Sequence, residues 1–258
     1  MRKWWLVGLL VALSCSAPVS TSSRPAGRSR DLIVGTSGES PPYATRRAGD
    51  LVGLEIDLAA ALGKALDRQV RFVDLPWDEL FDALAAGRVD IVMAGVTVTP
   101  EREVRFGFSD PYLRASIAAL VRREDAKRFA SRDAVCTSPI DVGVVGQTTG
   151  ERYVRERCPA IIARVYQTAG DAVLELRGRR IDAVVHDGPV LAWLLSQQPE
   201  LEMIPTGIAN QRLAWMLRRD DRPMREAANA ALATMRKDGS LERILQRWVP
   251  KVERLQAN

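Results

Sequence analysis

Three short segments carry side chains that could grip a small charged molecule. In VTVTPER (96–102), Thr99 is a good helix N-cap and Pro100 suits the first helical position. Arg102 then falls in the first turn, where a cation opposes the helix dipole, so its presence asks for a reason. Bidentate binding of a carboxylate is one; an exposed ion pair with Glu101 or Glu103 is the other. In IDAVVHD (181–187), a strand ends on Asp187 and Gly188-Pro189 opens a helix. Ligands of open α/β sheets bind beyond the carboxyl ends of strands, so Asp187 is placed to meet an ammonium group. It is equally placed to cap the helix 188–197. In GQTTGE (146–151), Thr148 and Thr149 could offer hydroxyls and backbone N–H groups to a carboxylate, or one of them could simply cap a helix. His186 stands beside Asp187, but strand alternation sends the two to opposite faces. With no nucleophile and orienting partner beside it, His186 reads as a structural or surface residue.

These segments need a frame that brings them together. Short β-branched runs alternate with longer amphipathic ones. The strand candidates are DLIVGT (31–36), QVRFVDL (69–75), VDIVMAG (89–95), IDVGVVG (140–146), AIIARVY (160–166), IDAVVHD (181–187) and LEMIP (201–205). Their Val and Ile content suits buried parallel strands. Between them the period is helical. Leu54, Leu58, Leu62, Ala65 and Leu66 share a face, as do Trp77, Leu80, Phe81, Leu84 and Ala85. Met224 to Met235 and Leu241 to Val249 repeat the spacing, with Gly239 between them. Alternating β and α argues for parallel sheets with helices on both faces. Two sets of strand–helix units are visible, at 31 to about 110 and about 138 to 205. SIAALVRR (116–123) and QRLAWMLRR (211–219) are the candidates to cross between them.

The first thirty residues differ from the rest. Arg2 and Lys3 precede an apolar run from Trp4 to Leu13. That run is shorter than the roughly 20 residues of a spanning helix and fits a secretory signal. It ends at Val11-Ala12-Leu13-Ser14-Cys15, which resembles a bacterial lipobox with Cys15 as the lipid-attachment residue. Residues 1–15 are thus expected to be a signal peptide with lipobox. Residues 16–30, rich in Ser, Pro, Gly and Arg, are expected to be a flexible tether. Five of the 37 Lys and Arg, and none of the 32 Asp and Glu, lie in 1–30, so the body carries 32 of each. The net charge of +5 therefore belongs to the export segment and is no sign of nucleic acid, which wants a basic patch on a fold. Cys136 and Cys158 remain, and export to an oxidising compartment makes a disulfide between them the expected state. One histidine and no Cys/His cluster speak against a metal site. No cofactor is expected.

Seven segments then carry a resemblance: VGTSGESPPY (34–43), GLEIDL (53–58), WDELFDALAAGRVDIVMAGVTVTPER (77–102), FSDPYL (108–113), VGVVGQTTGE (142–151), IDAVVHD (181–187) and MRKDGSLERILQRWV (235–249). In this order and spacing they resemble the polar amino-acid-binding family of bacterial ABC importers, the family 3 solute-binding proteins. The resemblance covers about 31–250. It implies an α/β, two-lobed periplasmic-binding-protein-like fold. Each lobe is a mostly parallel sheet flanked by helices, and two hinge strands join them. Lobe 1 would comprise 31–115 and 212–258, and lobe 2 would comprise 116–211. Matched residue by residue, Arg102 grips the ligand α-carboxylate. Gly95 and Thr97 contact the α-amino and α-carboxylate groups. Thr148 and Thr149 complete carboxylate binding from lobe 2. Asp187 pairs with the α-ammonium, and Trp77 packs on the ligand side chain. The family usually places a second aromatic where this chain has Ser40, so Ser37, Glu39 or Ser40 could offer polar contacts instead.

The resemblance implies a monomeric, non-enzymatic protein at the periplasm or cell surface, lipid-anchored to a membrane. It would deliver an amino-acid-like ligand to an ABC permease in the inner membrane. Two alternatives stand. Cyclohexadienyl or arogenate dehydratases resemble the chain in the VGTSGE and FSDPYL segments, but their catalytic Glu follows the strand-end Asp by three residues, where this chain has Val190. A ligand-sensing module for a receptor is the other.

Overall fold

The computed structural model describes residues 31–129, 134–206 and 211–249. The expected signal peptide, Cys15 and the tether lie outside the described residues. In chain order, the elements begin with β1 (Asp31–Thr36), a small hairpin sheet of β2 (Glu39–Ser40), β3 (Ala44–Arg47) and β4 (Asp50–Val52), then α1 (Leu54–Ala65) and β5 (Gln69–Asp74). Next come α2 (Leu80–Ala85), β6 (Ile91–Val92), α3 (Pro100–Arg105), β7 (Phe106–Phe108) and β8 (Leu113–Ala115). The middle of the chain forms β9 (Ile117–Arg122), α4 (Ala134–Thr137), β10 (Asp141–Val145), α5 (Thr149–Arg157), β11 (Ile162–Tyr166) and α6 (Ala169–Arg177). It continues through β12 (Ala183–Asp187), α7 (Gly188–Leu195) and β13 (Leu201–Pro205). The chain returns through β14 (Gln211–Leu213) and β15 (Met216–Arg218) and ends in α8 (Arg222–Lys237) and α9 (Ser240–Trp248).

Two five-stranded sheets result, ordered β5-β1-β6-β15-β7 and β11-β10-β12-β9-β13. Each has a parallel half, β5-β1-β6 in one and β11-β10-β12 in the other, continued by antiparallel strands. Helices α1, α8 and α9 close one face of the first sheet with Leu58, Leu62, Leu232 and Leu241, and α2 covers the other with Leu80 and Leu84. In the second sheet, Val154 of α5 packs on the face of Ala183 and Val185. Leu176 of α6 and Leu191 of α7 pack on the face of Val184. These buried faces reflect the alternation of Cβ along a strand. Gly239, at φ 73°, makes the left-handed turn that separates α8 from α9. A disulfide joins Cys136 to Cys158, tying α4 to the end of α5.

The structure corrects the expected crossings. Ile117–Arg122 is no bridge between sheets. It is an interior strand of the second one, antiparallel to β12 and β13, and Ile117 to Val121 are all at most 3% exposed. The crossing strands are β8 and β14, which form a two-stranded sheet of their own, with one further bridge from Leu213 to Thr97. The segment 211–219 splits because Trp215 turns inward, its N–H bonding the Ser109 hydroxyl at 3.0 Å. LEMIP is antiparallel rather than parallel, because it returns along β9. The run 89–95 keeps only two ladder residues, since Gly95 takes φ 70° and carries the chain out of the sheet. Among the described residues, no helix is long and apolar enough to cross a membrane.

Candidate ligand-binding cleft

The carboxyl ends of the parallel strands in both sheets face one cavity. Ser37, Ser40, Trp77, Gly95, Thr97 and Arg102 line it from the first sheet; Thr148, Thr149, Gln167, His186 and Asp187 line it from the second. Every expected ligand contact therefore borders the same space.

Arg102 owes its position to the local sequence. Thr99 caps α3, its Oγ1 accepting the Arg102 N–H at 3.3 Å, and Pro100 fills the first helical position. The guanidinium donates from Nη1 to the Thr97 carbonyl and from Nη2 to the Gln147 carbonyl, both at 2.8 Å. Gln147 belongs to the second lobe, so one side chain spans the cleft. The guanidinium also lies 5.5 Å from the Trp77 ring centroid and 5.2 Å from that of Phe81. Burial lowers its pKa to about 10, opposed by the charge of Asp187, and it remains a cation at neutral pH. It forms no ion pair with Glu101 or Glu103, the alternative its place in the sequence offered. Glu101 instead pairs with Arg152 across the cleft.

Asp187 stands at the N-cap position of α7 but makes no capping bond. The residue is 7% exposed, and its carboxylate accepts a hydrogen bond from the Thr149 hydroxyl at a long 3.4 Å. Burial raises its pKa, while His186, Arg102 and that bond pull it down. A buried carboxylate so thinly solvated is costly unless a cation joins it.

Thr148 is largely consumed by the fold. Its hydroxyl caps α5 by accepting from the Glu151 N–H at 3.2 Å and donates to the Val145 carbonyl at 2.7 Å. What 148–149 can still offer an anion is the Thr149 hydroxyl and the first N–H groups of α5. Thr97 is 3% exposed, and its hydroxyl has no partner among the described residues. Gly95 needs to be glycine: at φ 70°, a Cβ would lie 2.4 Å from the Tyr43 ring. Its N–H is taken by Glu55 at 2.7 Å, so its carbonyl is what remains for a ligand. Trp77 meets Phe81 edge-on at 5.2 Å. Ser40 borders the cavity where a second ring was expected.

Two residues were misjudged or missed from sequence. Of the two readings its sequence position allowed, structural or surface, His186 is not on the surface: it is 7% exposed and borders the cavity with Asp187. The strand stays regular through Asp187, so the two side chains leave opposite faces of β12, yet at the strand end both border the cavity. Glu55 lies within the GLEIDL segment. It is fully buried, accepting from the Gly95 N–H at 2.7 Å, the Tyr112 hydroxyl at 2.6 Å and Trp215 Nε1–H at 3.2 Å. The signal was there, since Glu55 falls on the apolar stripe of Leu58, Ala59 and Leu62. Among the described residues, no group of three His, Cys, Asp or Glu side chains could hold a metal ion.

Comparison with known proteins matches the pattern of the bacterial extracellular solute-binding proteins, family 3, over residues 32–251. ABC transporter arginine-binding protein 1 of Escherichia coli (strain K12) is 27% identical, the match covering 97% of this chain and 100% of that protein. The putative ABC transporter arginine-binding protein 2 of the same strain is 30% identical with the same coverage. Among solved structures, an ancestral amino-acid-binding protein, a precursor of cyclohexadienyl dehydratase, has a TM-score of 0.81 at 32% identity. That match covers 86% of this chain and 96% of the other. An ancestral arginine-binding protein bound to arginine has a TM-score of 0.80 at 31% identity, over 85% of this chain and 98% of that one.

Proposed function

Because the chain belongs to the bacterial extracellular solute-binding proteins, family 3, we propose that its two lobes close on an α-amino acid or close analogue for delivery to an ABC importer. The observation that carries the reading is the opposition of unlike charges in one cavity, the half-buried Arg102 and the buried Asp187. Arg102 and the start of α5 suit an α-carboxylate, with the Thr97 hydroxyl beside them. Asp187 suits the α-ammonium, helped by the Gly95 carbonyl. A ligand holding both groups bridges the lobes, because its partners are divided between them. It shifts the opening equilibrium by its differential affinity for the closed state. Arg102–Gln147 and Glu101–Arg152 already join the lobes here.

The protein acts outside the cytoplasm as a monomer, and Cys15 carries the lipid that holds it at the membrane. The closed form docks on the permease. A dehydratase reading is weaker, because Val190, where an acid would be needed, is a buried aliphatic in α7.

Titration calorimetry against a panel of α-amino acids, run beside a thermal-shift screen, tests this. At least one is expected to bind with 1:1 stoichiometry and to raise the melting temperature. Binding of other solutes with no response to any α-amino acid would reject the assignment.

A further inference from the structure

The single histidine of the chain is an unused donor in this cleft. Nδ1 of His186 accepts the Asp187 N–H at 2.8 Å. That bond leaves Nε2 to carry the proton of the neutral ring. Burial holds the ring's pKa below its usual value, with Asp187 pulling the other way, so the neutral form prevails at pH 7. Nε2 has no protein partner among the described residues, and it is not among the polar atoms sealed from solvent. The side chain is 93% buried, and the space it borders is the cleft cavity.

Placement decides which part of a ligand it meets. Asp187 lies on the strand face of Ala183 and Val185, with Thr149. His186 alternates onto the face of Val184, where α6 packs. Gln167 and Thr168, which lead into α6, border the cavity as well. Thus His186 is set apart from the pair of residues assigned to the ammonium and carboxylate. Across the cavity stand Ser37, Glu39 and Ser40.

We propose that His186 Nε2–H donates a hydrogen bond to the ligand's side chain, and that the cleft prefers an α-amino acid whose side chain ends in a neutral acceptor of the carboxamide type. The inference rests on the amino-acid reading above. A guanidinium or ammonium tip has donors only and would set them against Nε2–H. A carboxylate tip would accept from His186 but face the carboxylates of Glu39 and Asp187. A carboxamide offers its carbonyl to His186 and its NH2 to Glu39 or Ser40. Leaving a buried donor unmade is the usual basis of discrimination between near-isosteric ligands.

Untagged protein tests this directly, since His186 is then the only imidazole. Long-range 1H–15N spectra are expected to show the Nε2–H tautomer. L-glutamine is expected to bind about ten-fold tighter than L-norleucine or L-lysine and to move the Nε2–H resonance at saturation. His186→Leu should remove that preference while changing norleucine affinity less than three-fold, and His186→Gln, which keeps a donor, should retain part of it. Tighter binding of lysine or arginine than of glutamine, an unmoved Nε2–H signal in the complex, or equal losses for all ligands in His186→Leu would overturn the proposal while leaving the amino-acid reading intact. If no α-amino acid binds at all, that reading fails and this one falls with it.

Discussion

Glu55 offers the sharpest physical test of this fold. It is a fully buried carboxyl at the start of α1, and its partners come from the cleft floor (Gly95) and from beside the two crossing strands (Tyr112 and Trp215). Burial pushes its pKa up from 4.5 to about 7, with the three donors opposing that rise. Between those values the folded protein holds a proton that the unfolded chain releases. The group's contribution to stability is therefore complete below pH 4.5 and is lost as pH climbs through 7. A move from 4.5 to about 7 corresponds to about 3 kcal/mol. Glu55→Gln has no proton to exchange. Relative to wild type, its unfolding free energy should therefore climb by about 3 kcal/mol from pH 4.5 to pH 7.5, whatever constant offset the amide introduces. In melting temperature that is roughly 6–12 °C for a chain of this size. Urea denaturation of both proteins at a series of pH values measures it. The contributions of Asp187, raised by burial, and of His186, lowered by burial, cancel in the difference. A flat difference would refute the reasoning. A difference that falls with pH would mean that the three donors outweigh burial and hold Glu55 ionised.

Other outcomes follow from the same geometry. Arg102→Ala and Asp187→Asn should each weaken ligand binding by about 10- to 100-fold in calorimetry, the scale of a lost charge-assisted contact, with Asp187→Asn melting no lower than wild type because a buried charge is gone. Unchanged affinity in either would return that residue to a structural role. Gly95→Ala should lower both melting temperature and affinity, since its Cβ meets the Tyr43 ring and its φ of 70° disfavours any side chain; a variant that melts and binds like wild type would show that the loop simply shifts. Reducing the Cys136–Cys158 bond, which closes a span of 22 residues, should cost about 3 kcal/mol, seen as a lower melting temperature with dithiothreitol than without; equal melting would contradict this.

Much of this protein is written locally. The caps Thr99 and Thr148, the Pro100 start, the Gly239 break and the apolar stripes of α1, α8 and α9 depend on residues within a turn or two of one another. They were legible because helix periodicity and capping are short-range. The order of seven motifs was enough to bring Arg102, Asp187, Trp77 and Thr149 to one cavity. Tertiary structure decided what those groups have left to give. Thr148's hydroxyl is spent on its own helix, Gly95's N–H goes to a carboxylate 40 residues away, and Arg102 reaches Gln147, 45 residues on. It also placed the crossing at β8 and β14, put Glu55 against a tryptophan 160 residues away, and turned His186 to the cavity. These pairings depend on which strands become neighbours in a sheet and on how the two lobes meet. No local window of residues contains both partners.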